Sequence, residues 1–534
     1  MRAMRDGAMS AARPRRLAGR RGPVLATLCA VAFLTFLDTT IVSVALADVQ
    51  STLHAGVAAL QWVVSGYALV FASLMLAAGA LGDRLGRKKV MLAGLAVFCA
   101  GSLLGALAPG GGVLIAARAI MGLGAAASEP GTLSIIRQLY ARGDARARAL
   151  GAWAAVAGLA LALGPVIGGL LVGLGGWRSV FWFNLAAGGA VLVVALLVVP
   201  ESADPQAARW DIAGFVLGPA ALACLIFAVI LGESRGYAAP GIVALFCVGA
   251  AALALSLLAE RRAAQPMLDL RYFRQPFFSG ALLVTFAAYF GIFSIFFFTA
   301  LYLQVVTGYS GYRIAALFAP MAAALIAGSL AAGRWVARAG PRLPMTLGCL
   351  AAGFGVLLTD VALRGQPGFL ALAAALALAG LGFGVVVVPA TSAVLGTVPP
   401  EHSGMAAAAS TTSRELGTVI GVAVLGSLVN GQLAGGLAQR LSELGIPAAF
   451  RGVVINAVET GQVPSGSGAA GAANAYGPIV AKVISAAYDA FRSGLSISLV
   501  VAGVVILIAG LVAWLTLAPA RRLGDVAPAD GTSA

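Results

Sequence analysis

Five ionisable residues, Asp38, Arg118, Glu129, Arg414 and Glu415, stand inside long runs of apolar sequence. A charge at the centre of a hydrocarbon layer costs about 3 kcal/mol or more, and it pairs with another group or faces water. Asp38 lies about eight residues from the end of its run, roughly 12 Å deep, and Arg118 about five residues from the end of its own, roughly 8 Å deep. Those depths are compatible with an approach between them. A neighbouring arginine favours an ionised carboxylate and burial favours a neutral one, so the chemistry on offer is reversible protonation, with a permanently ionised structural pair as the alternative. Glu129 follows Arg118 by eleven residues, three turns plus about 20°, which puts both on one helix face about 16 Å apart. A second proton site, an attractor of cationic substrate and a neutral hydrogen-bonded structural acid are all open to Glu129. Arg414 and Glu415 are adjacent and point about 100° apart on a helix, so they are not expected to pair; one would face a cavity and the other a neighbouring helix.

The elements that must position these residues are set by the rest of the composition. Of 534 residues, 60% are hydrophobic and only 10% are charged. No single soluble core hides that much apolar surface, whereas a bilayer accepts it. Apolar runs fall at 24–46, 59–82, 90–108, 113–136, 149–172, 180–200 and 212–232. They continue at 241–259, 277–306, 314–334, 344–363, 368–396, 404–430 and 494–518. At about 20 residues per crossing, these predict about fourteen membrane helices and an all-α membrane protein, and the short alternating segments of a membrane barrel are missing from the pattern.

The net charge of +15 sits in an amino-terminal tail (Arg2, Arg5, Arg13, Arg15, Arg16, Arg20, Arg21) and in alternate short connectors. That is the positive-inside arrangement, and it argues against a nucleic-acid partner. It predicts an even number of spans in the bacterial inner (cytoplasmic) membrane, with both termini cytoplasmic. The basic start and first apolar run imitate a signal peptide, but the run is too long and holds Asp38, so a retained first helix is expected. Residues 431–493 form a long outer connector, with a stretch rich in Gly, Ala and Ser from Ser465 to Ala473 between amphipathic pieces; a surface loop is expected there, with a substrate-handling cap as the alternative. The cysteines Cys29, Cys99, Cys224, Cys247 and Cys349 all lie in apolar runs without a C-x-x-C partner, which implies neither disulfide nor metal. With no P-loop and no nucleophile–base constellation, neither an enzyme nor a self-contained ATP-driven pump is expected, and no cofactor.

Several motifs share a pattern. Gly79-Ala80-Leu81-Gly82-Asp83-Arg84-Leu85-Gly86-Arg87-Lys88-Lys89 follows the second run, and a degenerate copy, Gly333 to Arg342, follows the tenth. Such an echo implies two related six-helix halves, with spans 7 and 8 as an inserted pair. Arg118 to Gly124 reads R-A-I-M-G-L-G, and Gly158 with Gly164-Pro165-Val166-Ile167-Gly168-Gly169 reads G-(x5)-G-P-x-x-G-G. Leu37 to Leu46 reads L-D-T-T-I-V-S-V-A-L, while Trp177-Arg178 with Asn184, Tyr302-Leu303-Gln304, Gly308-Tyr309-Ser310 and Ser413 to Gly417 complete the set. From residue 24 to 518 the chain resembles the fourteen-span drug:proton antiporter branch of the major facilitator superfamily. It departs at Met121, where the family has glutamine, at Ser43, Ala47 and Ala186, and at Glu129, usually apolar before the proline.

The resemblance implies a major-facilitator fold and proton-coupled export of drugs or other small amphipathic or cationic compounds by alternating access. A lipid or glycolipid exporter is the alternative, followed by a proton-coupled nutrient importer. The expected organisation is a basic tail (1–23), an N-terminal six-helix half (24–200), the inserted pair and linker (201–276), a C-terminal half (277–518) and a second tail (519–534). Asp38, Glu129 and Arg118 are the candidate proton-coupling residues. Gly79, Asp83, Arg84, Gly86 and Arg87 would form a conformational-switch loop, with Asp83 facing the helix that starts near Gly404. Gly158, Gly164, Pro165, Gly168 and Gly169 are the candidate antiporter motif. Thr39, Tyr67, Tyr289, Phe290, Phe293, Arg414 and Glu415 are candidate cavity residues, the aromatic ones from a phenylalanine-rich ninth span that is either pocket lining or lipid-facing bulk. A functional monomer in the bilayer, binding only its substrate and protons, is expected.

Overall fold

A computed structural model describes residues 21–140, 144–201, 212–262, 270–364, 368–398, 403–443 and 478–517. Within them run fourteen long helices: α1 (Arg21–Leu53), α2 (Val57–Leu85), α3 (Arg87–Ala106), α4 (Gly111–Leu139), α5 (Asp144–Gly175), α6 (Arg178–Val198) and α7 (Ile212–Arg235). After them come α8 (Pro240–Arg262), α9 (Pro276–Val305), α10 (Gly311–Ala339), α11 (Arg342–Ala362), α12 (Phe369–Gly396), α13 (Ser403–Glu443) and α14 (Pro478–Thr516). Helix is the structure such sequence must take in lipid, because each backbone N–H and C=O finds its partner within the segment. Eleven of these helices are long and apolar enough to cross a membrane, or twelve if α5, bent by 41° between Ala155–Leu161 and Leu163–Gly175, is one span. The remaining two, α2 and α7, carry shorter apolar stretches, Ala59–Met75 and Val216–Gly232.

The packing repeats with a step of eight helices. In the first half α1 packs on α4, α5 and α6, α2 on α4, and α3 on α4 and α6; in the second, α9 packs on α12, α13 and α14, α10 on α12, and α11 on α12 and α14. The halves meet along two matching seams, α5 with α10 and α2 with α13. Helices α7 and α8 pair with each other, and α7 docks where α2 and α13 meet, through Ala68, Ala72, Ile226, Ile230, Val419 and Ala423. The large exposed apolar side chains, among them Leu174, Leu197, Leu255 and Leu515, lie outside this core, as a lipid-facing surface requires.

Short connectors divide the molecule into two ends. One carries the turn at His54, between α1 and α2; the other carries the turn at Gly86, between α2 and α3. The two copies of the repeated motif turn alike, on Gly86 (φ 109°) and Gly340 (φ 71°). A side chain is strained in that backbone region, which explains why both copies hold glycine there.

The expected connector 431–493 is helical at both of its ends. Helix α13 continues to Glu443 and α14 begins at Pro478, leaving 444–477 outside the described residues. At 1.5 Å per residue, helices of 41 and 39 residues are about 60 Å long, twice a hydrocarbon core of about 30 Å. Their extensions pack through buried Leu433, Leu437, Leu441, Ala486, Ala487 and Ala490, and Arg440 reaches Asp489 at 3.5 Å. Hydropathy stops at residue 430 because the continuation is an amphipathic helix pairing with its partner. Helix α1 likewise runs past its apolar stretch to Leu53, so Asp38 lies about 22 Å from that end of the helix.

Candidate functional site

Asp38 is the centre of a buried polar cluster in the first half. Its Oδ2 accepts a hydrogen bond from Arg118 Nη1 at 2.5 Å, and its Oδ1 accepts one from Asn184 Nδ2 at 2.6 Å. Arg118 also donates through Nε to the Val63 carbonyl at 2.9 Å, and its guanidinium lies 4.4 Å from the centre of the Tyr67 ring. The Tyr67 hydroxyl donates to the Thr35 carbonyl at 3.0 Å. Asp38, Arg118, Asn184 and Tyr67 are fully buried, and together they tie α1, α2, α4 and α6. A charge-assisted pair of this kind is strong when both partners are present and costly when one is removed. Four residues beyond Asp38, α1 tightens into a 3₁₀ turn at Val42–Ala45, the sort of irregularity that marks a hinge.

The next contact out from Asp38 joins α1 to the candidate antiporter motif of α5. Pro165 has no backbone N–H, so the Leu161 carbonyl one turn earlier loses its helical donor. Thr40 Oγ1 donates to that carbonyl at 3.0 Å, and the 41° bend in α5 lies at this position. Gly164 and Gly168 leave room for the crossing: a Cβ on Gly168 would stand 2.5 Å from the Ile41 carbonyl oxygen, and one on Gly164 would collide with Thr40. Gly169 serves the other face of α5, where a Cβ would meet the Gly311 carbonyl oxygen of α10 at 2.5 Å. Gly158 is less crowded, with Ser329 Oγ at 3.9 Å. The motif therefore builds both the α1–α5 crossing and the seam between the halves.

Glu129 is not part of the Asp38 cluster. It is fully buried on α4, and among the described residues neither carboxylate oxygen has a hydrogen-bond partner. The charges acting on it are those of Arg414 and Glu415 on α13, in the other half. Arg414 Nε donates to Glu415 Oε1 at 3.0 Å, and both are buried. That overturns the expectation that these neighbours do not pair. The 100° between them describes where the side chains leave the helix, and the long arginine stem folds back far enough to close the gap. The guanidinium lies 4.1 Å from the Phe36 ring centre on α1 and 5.7 Å from that of Tyr289 on α9, so it bridges the halves. Near Glu129, Trp153 Nε1 donates to Thr132 Oγ1 at 3.0 Å and its ring meets Phe36 edge-on.

The candidate cavity residues fall into these two groups. Thr39 and Tyr67 lie beside Asp38 and Arg118, whereas Arg414 and Glu415 act on Glu129 and Tyr289 lies beside Arg414; all are buried. Phe290 is buried too, stacked on Phe286 at 6.2 Å. Tyr289, Phe290, Phe296, Phe297 and Phe298 of the ninth span are packed inside protein, which removes the lipid-facing alternative for them. A π-helical turn at Ser294–Thr299 interrupts that span. The side chains of Phe293, Asp83 and Arg84 lie outside the described ones. Elsewhere in the repeated motif, Gly79 approaches Pro130 of α4, and the Gly86 turn presents the Lys88 amide to Glu201 Oε1 at 3.2 Å. Arg87 starts α3, its backbone carbonyl oxygen 3.2 Å from where a Cβ on Gly131 would stand. Asn184, Thr40 and Phe36 were not among the candidate site residues.

The family profile described as Major Facilitator Superfamily matches residues 28–422. The chain is 34% identical over 409 residues to the multidrug resistance protein Stp of Mycobacterium tuberculosis (strain CDC 1551 / Oshkosh), covering 77% of this chain and 76% of that protein. It is 30% identical over 531 residues to the tetracenomycin C resistance and export protein of Streptomyces glaucescens, covering 97% and 96%. The crystal structure of a bacterial homologue of the human lysosomal transporter Spinster, in an inward-facing and occupied conformation, superposes with a TM-score of 0.60 at 18% identity, covering 93% of this chain and 97% of that one. Two six-helix halves repeating one packing scheme, met by a profile that spans most of both, make this chain a multi-pass membrane protein belonging to the Major Facilitator Superfamily.

Proposed function

We propose that this protein is a proton-coupled antiporter that exports small amphipathic drugs by alternating access. The observation that carries the coupling is the Asp38 cluster, a buried carboxylate whose two hydrogen-bond partners come from two other helices of the same half. Protonating Asp38 from the outer side would replace the ion pair with Arg118 by a weaker bond from the guanidinium cation to a neutral acid, and would loosen α1 from α4 and α6. Thr40, two residues along, hands any movement of α1 to the bent α5, and α5 carries it to α10 at the seam. Export is supported by the relatives, one named for multidrug resistance and another for resistance and export. The two bodies that rock are residues 24–200 and 277–518, with 201–276 as an attached pair. The chain acts as a monomer in the bacterial inner membrane, with both termini and the Gly86 end cytoplasmic and the His54 end outside. Each proton moving inward supplies about 2.3 kcal/mol per 100 mV.

In inverted vesicles energised acid-inside and given a panel of lipophilic cations and neutral drugs, wild type is expected to show drug accumulation together with drug-dependent proton release. Asp38→Asn is expected to show neither. Drug uptake by wild type without proton movement would refute antiport.

A further inference from the structure

The cluster formed by Glu129, Arg414 and Glu415 has an unbalanced charge. Arg414 neutralises Glu415 through the 3.0 Å bond, while both buried oxygens of Glu129 are without a hydrogen-bond partner among the described residues. Glu415 Oε2 and Arg414 Nη2 are also unpartnered among the described residues, so the polar ends of all three residues still have bonding capacity. Asp38 and Arg118 belong to the other cluster, with Arg118 about 16 Å away along α4. An ionised carboxylate in a packed interior is very unfavourable without a partner, and a proton or a second cation would relieve it. Two aromatic faces beside the cluster already hold a cation, since the Arg414 guanidinium lies against Phe36 and Tyr289. Cation–π contacts strengthen when desolvated, as here.

We infer that Glu129 is the residue at which a monovalent amphipathic cation and a single proton compete, so that the junction of the halves recognises the charge of the substrate. As the cation arrives, the O–H bond of the Glu129 carboxyl breaks and the proton passes to water on the side to which the site is open. The carboxylate then pairs with the cation, whose aromatic or apolar body lies among the apolar side chains at the junction of the halves, while the Arg414 guanidinium keeps its place on Phe36 and Tyr289. A single unpaired carboxylate fits one positive charge, because Glu415 is occupied by Arg414. This inference rests on the reading of the protein as a drug exporter and adds the charge class of a preferred substrate.

The test uses purified full-length protein with tetraphenylphosphonium as the cation and chloramphenicol as the neutral compound. In weakly buffered detergent solution, wild type is expected to release a proton on binding tetraphenylphosphonium. Glu129→Gln, close to isosteric, is expected to release none and to bind at least about tenfold more weakly. Glu129→Asp, which restores the carboxylate, is expected to recover the release. In proteoliposomes, the ratio of tetraphenylphosphonium-driven to chloramphenicol-driven proton flux is expected to fall at least about tenfold in Glu129→Gln. An unchanged ratio, or unchanged affinity and proton release, overturns the role of Glu129 alone. No proton flux from wild type with either compound overturns the antiporter reading beneath it.

Discussion

At the scale of the residue, the charges were conspicuous and their partners were not. Asp38 and Arg118 stand out because lipid tolerates neither, and the structure joins them directly. Asn184 was visible only as part of a motif, since a neutral polar residue in a membrane helix is unremarkable until its partner is known. Its amide holds the second oxygen of Asp38, and the cost of losing it follows from burial. Asn184→Leu removes that donor while filling a similar volume, and leaves Asp38 Oδ1 unpaired. The expected destabilisation is about 1–3 kcal/mol, read as a lower thermal or denaturant midpoint in detergent. An unchanged midpoint would mean that Asn184 bears no part of the Asp38 charge. Arg118→Lys is expected to fail as a replacement, because one ammonium does not reproduce the fork that reaches both Asp38 and the Val63 carbonyl. The meeting of Glu129 with Arg414 had no sequence signal, since the two residues are far apart in the chain and lie in different halves.

At the scale of the element, Pro165 and the glycines around it announced a bent, closely packed α5, but not what receives the freed carbonyl. Thr40 does so, and that dependence gives a double-mutant prediction. Thr40→Val removes the donor to Leu161 and is expected to cost about 1 kcal/mol and slow transport, whereas Thr40→Ser is expected to keep both. In a Pro165→Ala background the backbone N–H returns, so Thr40→Val is expected to cost much less there. Additive effects of the two changes on the unfolding midpoint would show that Thr40 and the Pro165 bend are independent. The long helices α13 and α14 and the π-helical turn in α9 lay beyond hydropathy, which sees apolar runs and neither their amphipathic continuations nor an irregularity inside them.

At the scale of the whole molecule, the echo of Gly79–Lys89 in Gly333–Arg342 already implied two related halves, and the helix packing repeats with the same step. The seams between the halves were out of reach of the sequence: Gly169 stood out as part of the glycine–proline motif, but nothing in the motif names Gly311 of α10 as the residue it meets. Gly169→Leu would drive a side chain into the Gly311 carbonyl and hold the seam apart. The expected result is a loss of transport of about tenfold or more with a cooperative unfolding transition retained; full transport would mean that this seam need not close. In the proposed mechanism Asp38 couples the proton gradient to an exporter whose substrate pathway is otherwise intact. The most direct test compares substrate counterflow, which needs no proton gradient, with gradient-driven accumulation in proteoliposomes containing wild type or Asp38→Asn. Asp38→Asn is expected to keep counterflow and lose accumulation; accumulation at the wild-type level in that variant would contradict a coupling role for Asp38.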